Sequence, residues 1–264
     1  MSFVCPDDLI ALAVRLSDAA RPIATHYFRN DDLLVEDKED HSPVTIADRL
    51  IEETWREILL TERPNDALWG EEYGRHNQDA DWTWIMDPID GTKAFTMGRA
   101  TFGTMLGLHH RVHGFVLGIV DQPVLNLRWM GAKGRGATIN GKPLQAKTLD
   151  GLHQVRIAFT NPLRLTPDLN LLLDDLTGAV SFIAYGGDCM NYVGLSDGSV
   201  HLNFDSKQKI YDIAAAIPII EEVGGIITHK DGSPIELELE HTILAAANAE
   251  LHEQILARYK VLNA

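Results

Sequence analysis

Trp84-Ile85-Met86-Asp87-Pro88-Ile89-Asp90-Gly91-Thr92 is the stretch on which the reading of this chain turns. An apolar run of strand length ends in two carboxylates separated by two residues, then turns through glycine. Pro88 biases Asp87 away from helical geometry, which predicts a turn at a strand end rather than acids on one helix face. Working outward, residues 67–69, 103–109, 115–121 and 127–130 are short apolar runs between turn residues, the pattern of a sizeable sheet. Residues 131–144, rich in glycine and carrying Asn140-Gly141, suit tight hairpins.

The flanks read differently. Leu9, Leu12, Leu16 and Ile23 fall at helical spacings, predicting a long amphipathic helix over residues 7–28 that Pro22 bends or breaks. Residues 30–43 predict a loop with a short strand at 33–35. Thr45 is a candidate N-cap for a helix over 45–60. Beyond residue 150 the order alternates. Strands are predicted at 155–159, 180–184, 200–204 and 243–247, and helices at 167–173, 189–195, 213–223 and 249–259. That alternation predicts layered sheets with helices between them. A loose boundary falls at residues 146–151, without a linker that would make two independent domains.

Composition narrows the class of function. The 264 residues carry a formal charge of −15, from 23 basic and 38 acidic side chains, which disfavours a nucleic-acid binder with its basic stripe. An acidic protein can still bind an anion when metal cations stand between carboxylates and phosphate. Cys5 and Cys189 lie far apart and form no CxxC pair, so neither a disulfide framework nor a cysteine zinc site is read. The N-terminus lacks a basic region with a cleavage site, and no apolar run approaches a membrane span. A reduced cytoplasmic protein is expected.

Carboxylates supply the chemistry. A strand-end turn can aim two side chains and a carbonyl into one small volume, and hard oxygen ligands of that kind suit Mg2+. The spacing is wrong for an EF-hand loop, and His109, His110 and His113 read as a strand end and turn rather than a metal site. Glu71 and Glu72 follow another predicted strand. Thr45-x-x-Asp48 also reads as a capping box, and Asp212 as an N-cap of the following helix, so each has a purely structural alternative.

Taken together, Ser42-Pro43-Val44-Thr45 leading to Asp48, Gly70-Glu71-Glu72, Asp87-Pro88-Ile89-Asp90-Gly91-Thr92, and Asp212 before Ala214-Ala215 resemble the inositol monophosphatase superfamily across most of the chain. Tyr211 departs from the tryptophan many members carry. The resemblance implies a layered αβαβα sandwich of the sugar-phosphatase type, with mixed α/β secondary structure. Its α+β half would span residues 1–148 and its α/β half residues 149–264, as one compact unit. It implies two or three Mg2+ ions, one held by Glu71, Asp87 and the Ile89 carbonyl, a second by Asp87, Asp90 and Asp212. It assigns Asp48 and Thr92 to activating water, and the Gly91 and Thr92 amides to holding phosphate. A homodimer is implied as well.

Tyr185-Gly186-Gly187-Asp188-Cys189-Met190-Asn191-Tyr192 resembles the histidinol-phosphate phosphatase branch of that superfamily. A carboxylate such as Asp188 can pair with the ammonium of histidinol phosphate, with helix capping as its alternative role. Asp205, seven positions before Asp212, matches an acidic substrate-contact position of the family. The competing readings are an inositol or general sugar monophosphatase, a weaker nucleotide bisphosphatase, and a non-catalytic metabolite-binding member.

Overall fold

The computed structural model describes residues 3–38, 42–145 and 148–264. Glu39, Asp40 and His41 of the polar N-terminal loop, and positions 146–147 of the expected boundary, lie outside them. The chain opens with α1 (Asp7–Tyr27), β1 (Val35–Asp37), β2 (Pro43–Thr45) and α2 (Ile46–Glu62). Next come β3 (Ala67–Gly70), β4 (Gly74–His76), β5 (Trp82–Asp90), α3 (Thr92–Thr96), β6 (Gly103–His110) and β7 (Gly114–Gln122). Then β8 (Leu127–Ala132), β9 (Gly136–Ile139) and β10 (Lys142–Pro143) complete the first half. The second half supplies β11 (Arg156–Phe159), α4 (Pro167–Leu176), β12 (Phe182–Tyr185), α5 (Cys189–Asp197), β13 (Leu202–Lys209) and α6 (Ile210–Ile213). It ends with α7 (Ala216–Glu221), β14 (Ile226–His229), β15 (Glu240–Ala246) and α8 (Ala249–Leu262).

An eight-stranded sheet has the order β10-β9-β8-β7-β6-β5-β3-β4, and a five-stranded sheet the order β12-β11-β13-β15-β14. α1 and α2 cover one face of the large sheet through Leu12, Leu16, Ile51, Trp55 and Trp84. α5, α6 and α7 fill the space between the sheets, and α4 with α8 covers the outer face of the smaller one. The layers are therefore α, β, α, β, α, as the resemblance implied. The middle core takes Trp69, Ile85 and Met105 from the first half, and Tyr192, Ile213 and Ile219 from the second. Residues from before and after position 150 thus meet in this middle core, one of three apolar clusters.

Two elements differ instructively from expectation. β5 does not stop before the acids but runs through them to Asp90, and its register against β6 shifts between Asp87 and Asp90. Pro88 has no N–H for the ladder, and a bulge accommodates it. The predicted helix over 213–223 is instead two short helices, because Pro218 cannot accept a helix running through Ala214. Pro22, by contrast, sits inside an unbroken α1. Strand β14 was not legible in the sequence; it pairs with β15 at the edge of the smaller sheet. The Asn140-Gly141 hairpin is present, with both residues at positive φ.

Gly107, Gly118 and Gly131 are register partners on β6, β7 and β8. They form a trough across the large sheet, flanked in the same row by Ile85 and Ala137. The backbone of residues 214–219 lies in it. A Cβ on Gly118 would stand 1.8 Å from the Ala215 carbonyl oxygen, and one on Gly131 2.5 Å from Ile219 Cα. Gly118→Ala is therefore expected to destabilise the fold by about 3 kcal/mol, since neither backbone can move aside. Urea unfolding measures this; a change below about 1 kcal/mol would show that the packing relaxes.

Candidate active site

The strand bulge decides the geometry of the site. In an unbroken strand, positions 87 and 90 would face opposite sides of the sheet; one extra residue restores the same side. Ile89 then enters the core, fully buried. Parallel pairing of β3 with β5 puts Gly70 beside Met86, and the Glu71 amide donates to the Met86 carbonyl at 3.1 Å. Glu71 consequently emerges next to Asp87. From the other side, α6 carries Asp212 off the glycine trough. One oxygen from each of Asp87, Asp90 and Asp212 lies within 4.8 Å of the others.

This arrangement fits a cation. Asp87 is 1% exposed, and its Oδ1 has no hydrogen-bond partner. Burial, then repulsion from Glu71, Asp90 and Asp212, pushes its carboxyl well above the ordinary range. Asp90 is raised by burial and by Asp188, although one of its oxygens accepts the Cys189 amide. Asp212 is pushed up to about 8 by burial and by Glu71. Its Oδ2 accepts the Lys209 amide at 2.7 Å, so the structural role and the cluster coexist. Such crowding costs free energy unless positive charge is supplied. Glu71 has a protein cation instead: the Lys38 ammonium bridges it and Glu72, each at 2.7 Å. The Ile89 carbonyl accepts from the Thr92 hydroxyl at 3.0 Å.

Thr45 caps α2, and Asp48 occupies the first turn, fully buried. Asp48 Oδ2 accepts from the Thr45 amide at 2.9 Å and from its hydroxyl at 2.5 Å, while Oδ1 faces Thr92 Oγ1 at 3.4 Å. The capping box and the contact with Thr92 use different oxygens. Burial, opposed by the Thr45 hydrogen bond, pushes this carboxyl up to about 7. Gly91 N-caps α3 at φ 85°, a conformation that favours glycine. A Cβ there would stand 2.8 Å from the Thr101 carbonyl oxygen.

A residue the sequence reading missed holds the Glu71 loop. Glu52, fully buried one turn beyond Asp48, accepts the amides of Glu72 at 2.8 Å and Tyr73 at 3.2 Å. Arg56 pairs with it at 2.8 Å. The only signal was its spacing of four from Asp48, which puts both acids on one helix face.

A cavity of about 310 Å³ opens beside the cluster, lined by Glu71, Gly91, Thr92, Arg99, Arg164 and Asp188, among others. Asp188 stands at the N-cap of α5 yet makes no side-chain capping bond. Its backbone has φ 46° and ψ −130°, a conformation costly for a non-glycine residue. Its Oδ2 would be 3.1 Å from a Cβ on Gly91. Burial raises its carboxyl to about 6, with Lys93 opposing. Asp205 does not line the cavity. It is 2% exposed, and its oxygens accept the Thr160 amide at 3.1 and 3.3 Å, holding that wall in place. His109, His110 and His113 stand at the β6–β7 hairpin, where His113 stacks on Phe3 with ring centroids 4.2 Å apart.

Over residues 6–262 the chain matches the sequence profile of the inositol monophosphatase family. It belongs to that family. The chain is 35% identical over 259 residues to the chloroplastic bifunctional phosphatase IMPL2 of Arabidopsis thaliana, covering 95% of this chain and 74% of that one. It is 33% identical to the histidinol-phosphatase of Mycobacterium tuberculosis, covering 96% and 97% respectively. A solved inositol monophosphatase from Zymomonas mobilis is 37% identical and superposes with a TM-score of 0.85 over 96% of this chain and 98% of that one. Membership places the chain among phosphomonoesterases. No helix among the described residues is long and apolar enough to cross a membrane.

The raised Asp212 carboxyl has a thermodynamic consequence. Between the ordinary carboxyl range and about 8, the metal-free folded chain holds a proton there that the unfolded chain releases. Its stability contribution therefore falls as pH rises through that window. A cation competes with the proton, so the rise in Tm on adding Mg2+ is expected to grow from about pH 6 to about pH 9. Scanning calorimetry with and without Mg2+ reads this directly. A gain independent of pH would mean that the ion binds away from Asp212.

Proposed function

We propose that this protein is a Mg2+-dependent phosphomonoesterase whose substrate is histidinol phosphate. The observation that carries the substrate reading is Asp188. Its carboxylate is free of the helix it begins, held in a strained backbone, and set beside Gly91 in the cavity wall. There it can accept a charge-assisted hydrogen bond from the ammonium that histidinol phosphate carries near its ester. Histidinol-phosphatases among the relatives support the same choice.

Asp87, Asp90 and Asp212 would hold one ion, and Glu71, Asp87 and the Ile89 carbonyl another. Bound there, Mg2+ neutralises the phosphate dianion and so lowers the charge barrier to an approaching water. The chain's own groups do the rest. The Gly91 and Thr92 amides orient the phosphate. Thr92 Oγ1 takes a proton from the water and passes its own to Asp48 Oδ1. A carboxyl near 7 suits a base working at neutral pH. The water oxygen bonds to phosphorus as the ester P–O bond breaks, the departing alkoxide takes a proton from solvent water, and no phosphoenzyme forms. Asp205 acts on the substrate through Thr160, whose amide it fixes.

Phosphate release from L-histidinol phosphate and from myo-inositol monophosphate, with Mg2+, tests the assignment. The amine substrate is expected to be preferred, and Asp188→Ala to lower its kcat/KM at least about tenfold while sparing the inositol ester. Equal turnover of both, unaffected by the substitution, would reject histidinol phosphate and favour the second reading. That reading is an inositol monophosphatase, supported by the 37% identity to the Zymomonas mobilis enzyme. Asp90→Asn is expected to remove activity on every ester by about a thousandfold or more while leaving a cooperative thermal transition. Retained activity would show that the cluster is not the reaction centre.

A further inference from the structure

Every arginine but two rests its guanidinium on a carboxylate, a carbonyl or an aromatic ring. Arg21 and Arg128 share Asp121, Arg56 pairs with Glu52, Arg29 and Arg156 donate to carbonyls, and Arg75 covers Trp69. The remaining surface arginines, such as Arg15, Arg49 and Arg258, each hold an acid. The exceptions among the described residues are Arg99 and Arg164. Both are exposed, and both line the cavity beside the carboxylate cluster.

In a chain of charge −15, acids are abundant, and a guanidinium left without one is the anomaly to explain. The two side chains come from independent elements. Arg99 follows α3, two residues before Thr101, whose carbonyl backs Gly91. Arg164 ends a short turn of helix, Pro162–Arg164, that Asn161 caps and that follows the Thr160 amide anchored on Asp205. Arg164 makes no ion pair among the described residues, and Glu240, an acid outside the cluster that feels its charge, is already paired with Lys209. Both residues therefore line the same cavity as Gly91 and Thr92, where the reacting phosphate must arrive. Lys93 shares the cavity, but its charge is felt by Asp188.

We propose that Arg99 and Arg164 form an anion-capture pair at the cavity mouth. They would draw the phosphate dianion of the incoming ester through the protein's negative field, and hold inorganic phosphate on its way out. A guanidinium suits this role because its planar N–H groups match phosphate oxygens and stay charged at any working pH. A local pair of positive charges can also raise encounter rates against an unfavourable net charge. The inference rests on the phosphatase reading but not on the identity of the alcohol.

The double variant Arg99→Gln/Arg164→Gln should be compared with the parent and with Lys142→Gln/Lys260→Gln. The latter removes two exposed, unpaired charges outside the cavity, matching the change in net charge. Titration calorimetry of inorganic phosphate into the Mg2+-loaded proteins is expected to show about tenfold weaker binding for the arginine variant alone. With p-nitrophenyl phosphate, its KM is expected to rise about tenfold with kcat within about twofold, and the fall of kcat/KM with ionic strength to flatten. Unchanged phosphate affinity, a parent that binds no phosphate, or a loss confined to kcat would each overturn the inference. An effect equal in the lysine control would also do so, by reducing it to net charge. An inactive parent would refute the phosphatase reading, while the phosphate titration would still decide this one.

Discussion

The backbone of residues 214–219 lies directly on Gly107, Gly118 and Gly131, and the position of Asp212 follows from that contact. A helix normally stands off a sheet by the length of the side chains between them. Here the sheet has none along one row, and the link from α6 to α7, with the first turn of α7, descends into the gap. Asp212 sits just before the seated segment, so the close approach delivers its carboxylate to the two that the bulge in β5 has turned to one side.

Gathering those acids opposes folding. Asp87, Asp90 and Asp212 are each raised by burial and then by neighbouring acids, Glu71 for Asp87 and Asp212 and Asp188 for Asp90, and Asp87 keeps an oxygen with no partner. A core of hydrophobic residues would have been more stable at that place. The fold tolerates the crowding because the surrounding elements are over-determined by three apolar cores. Auxiliary ion pairs hold the neighbouring loop: Lys38 with Glu71 and Glu72, and Arg56 with Glu52. The strain is localised where cation binding can relieve it.

Two residues of the site cap a helix with one carboxylate oxygen and turn the other toward the site. Asp48 closes a capping box with one oxygen and faces Thr92 with the other. Asp212 accepts a backbone amide with one oxygen while standing in the carboxylate cluster. A residue whose backbone role fixes its rotamer is already oriented, so capping does not exclude a second role at these positions. Asp188 is the contrast, since it begins a helix without capping it.

Much was legible in the amino-acid order, because local rules govern it. The strand ending in Asp87 and Asp90, the Thr45 cap, the Asn140-Gly141 hairpin and the alternating second half all follow from period, turn chemistry and capping over a few residues. The motif residues around Asp48, Glu71, Asp87 and Asp212 were legible too, though only together and by resemblance. The bulge, the glycine row, Glu52 as the anchor of the Glu71 loop and the unpaired state of Arg99 and Arg164 were not. Each depends on which distant residue lies opposite, and register and charge pairing across the fold leave no trace in a local window. Sequence alone determined which groups were available to the chemistry. Tertiary structure decided which of them meet, because only packing sets the distances on which charge and hydrogen bonding act.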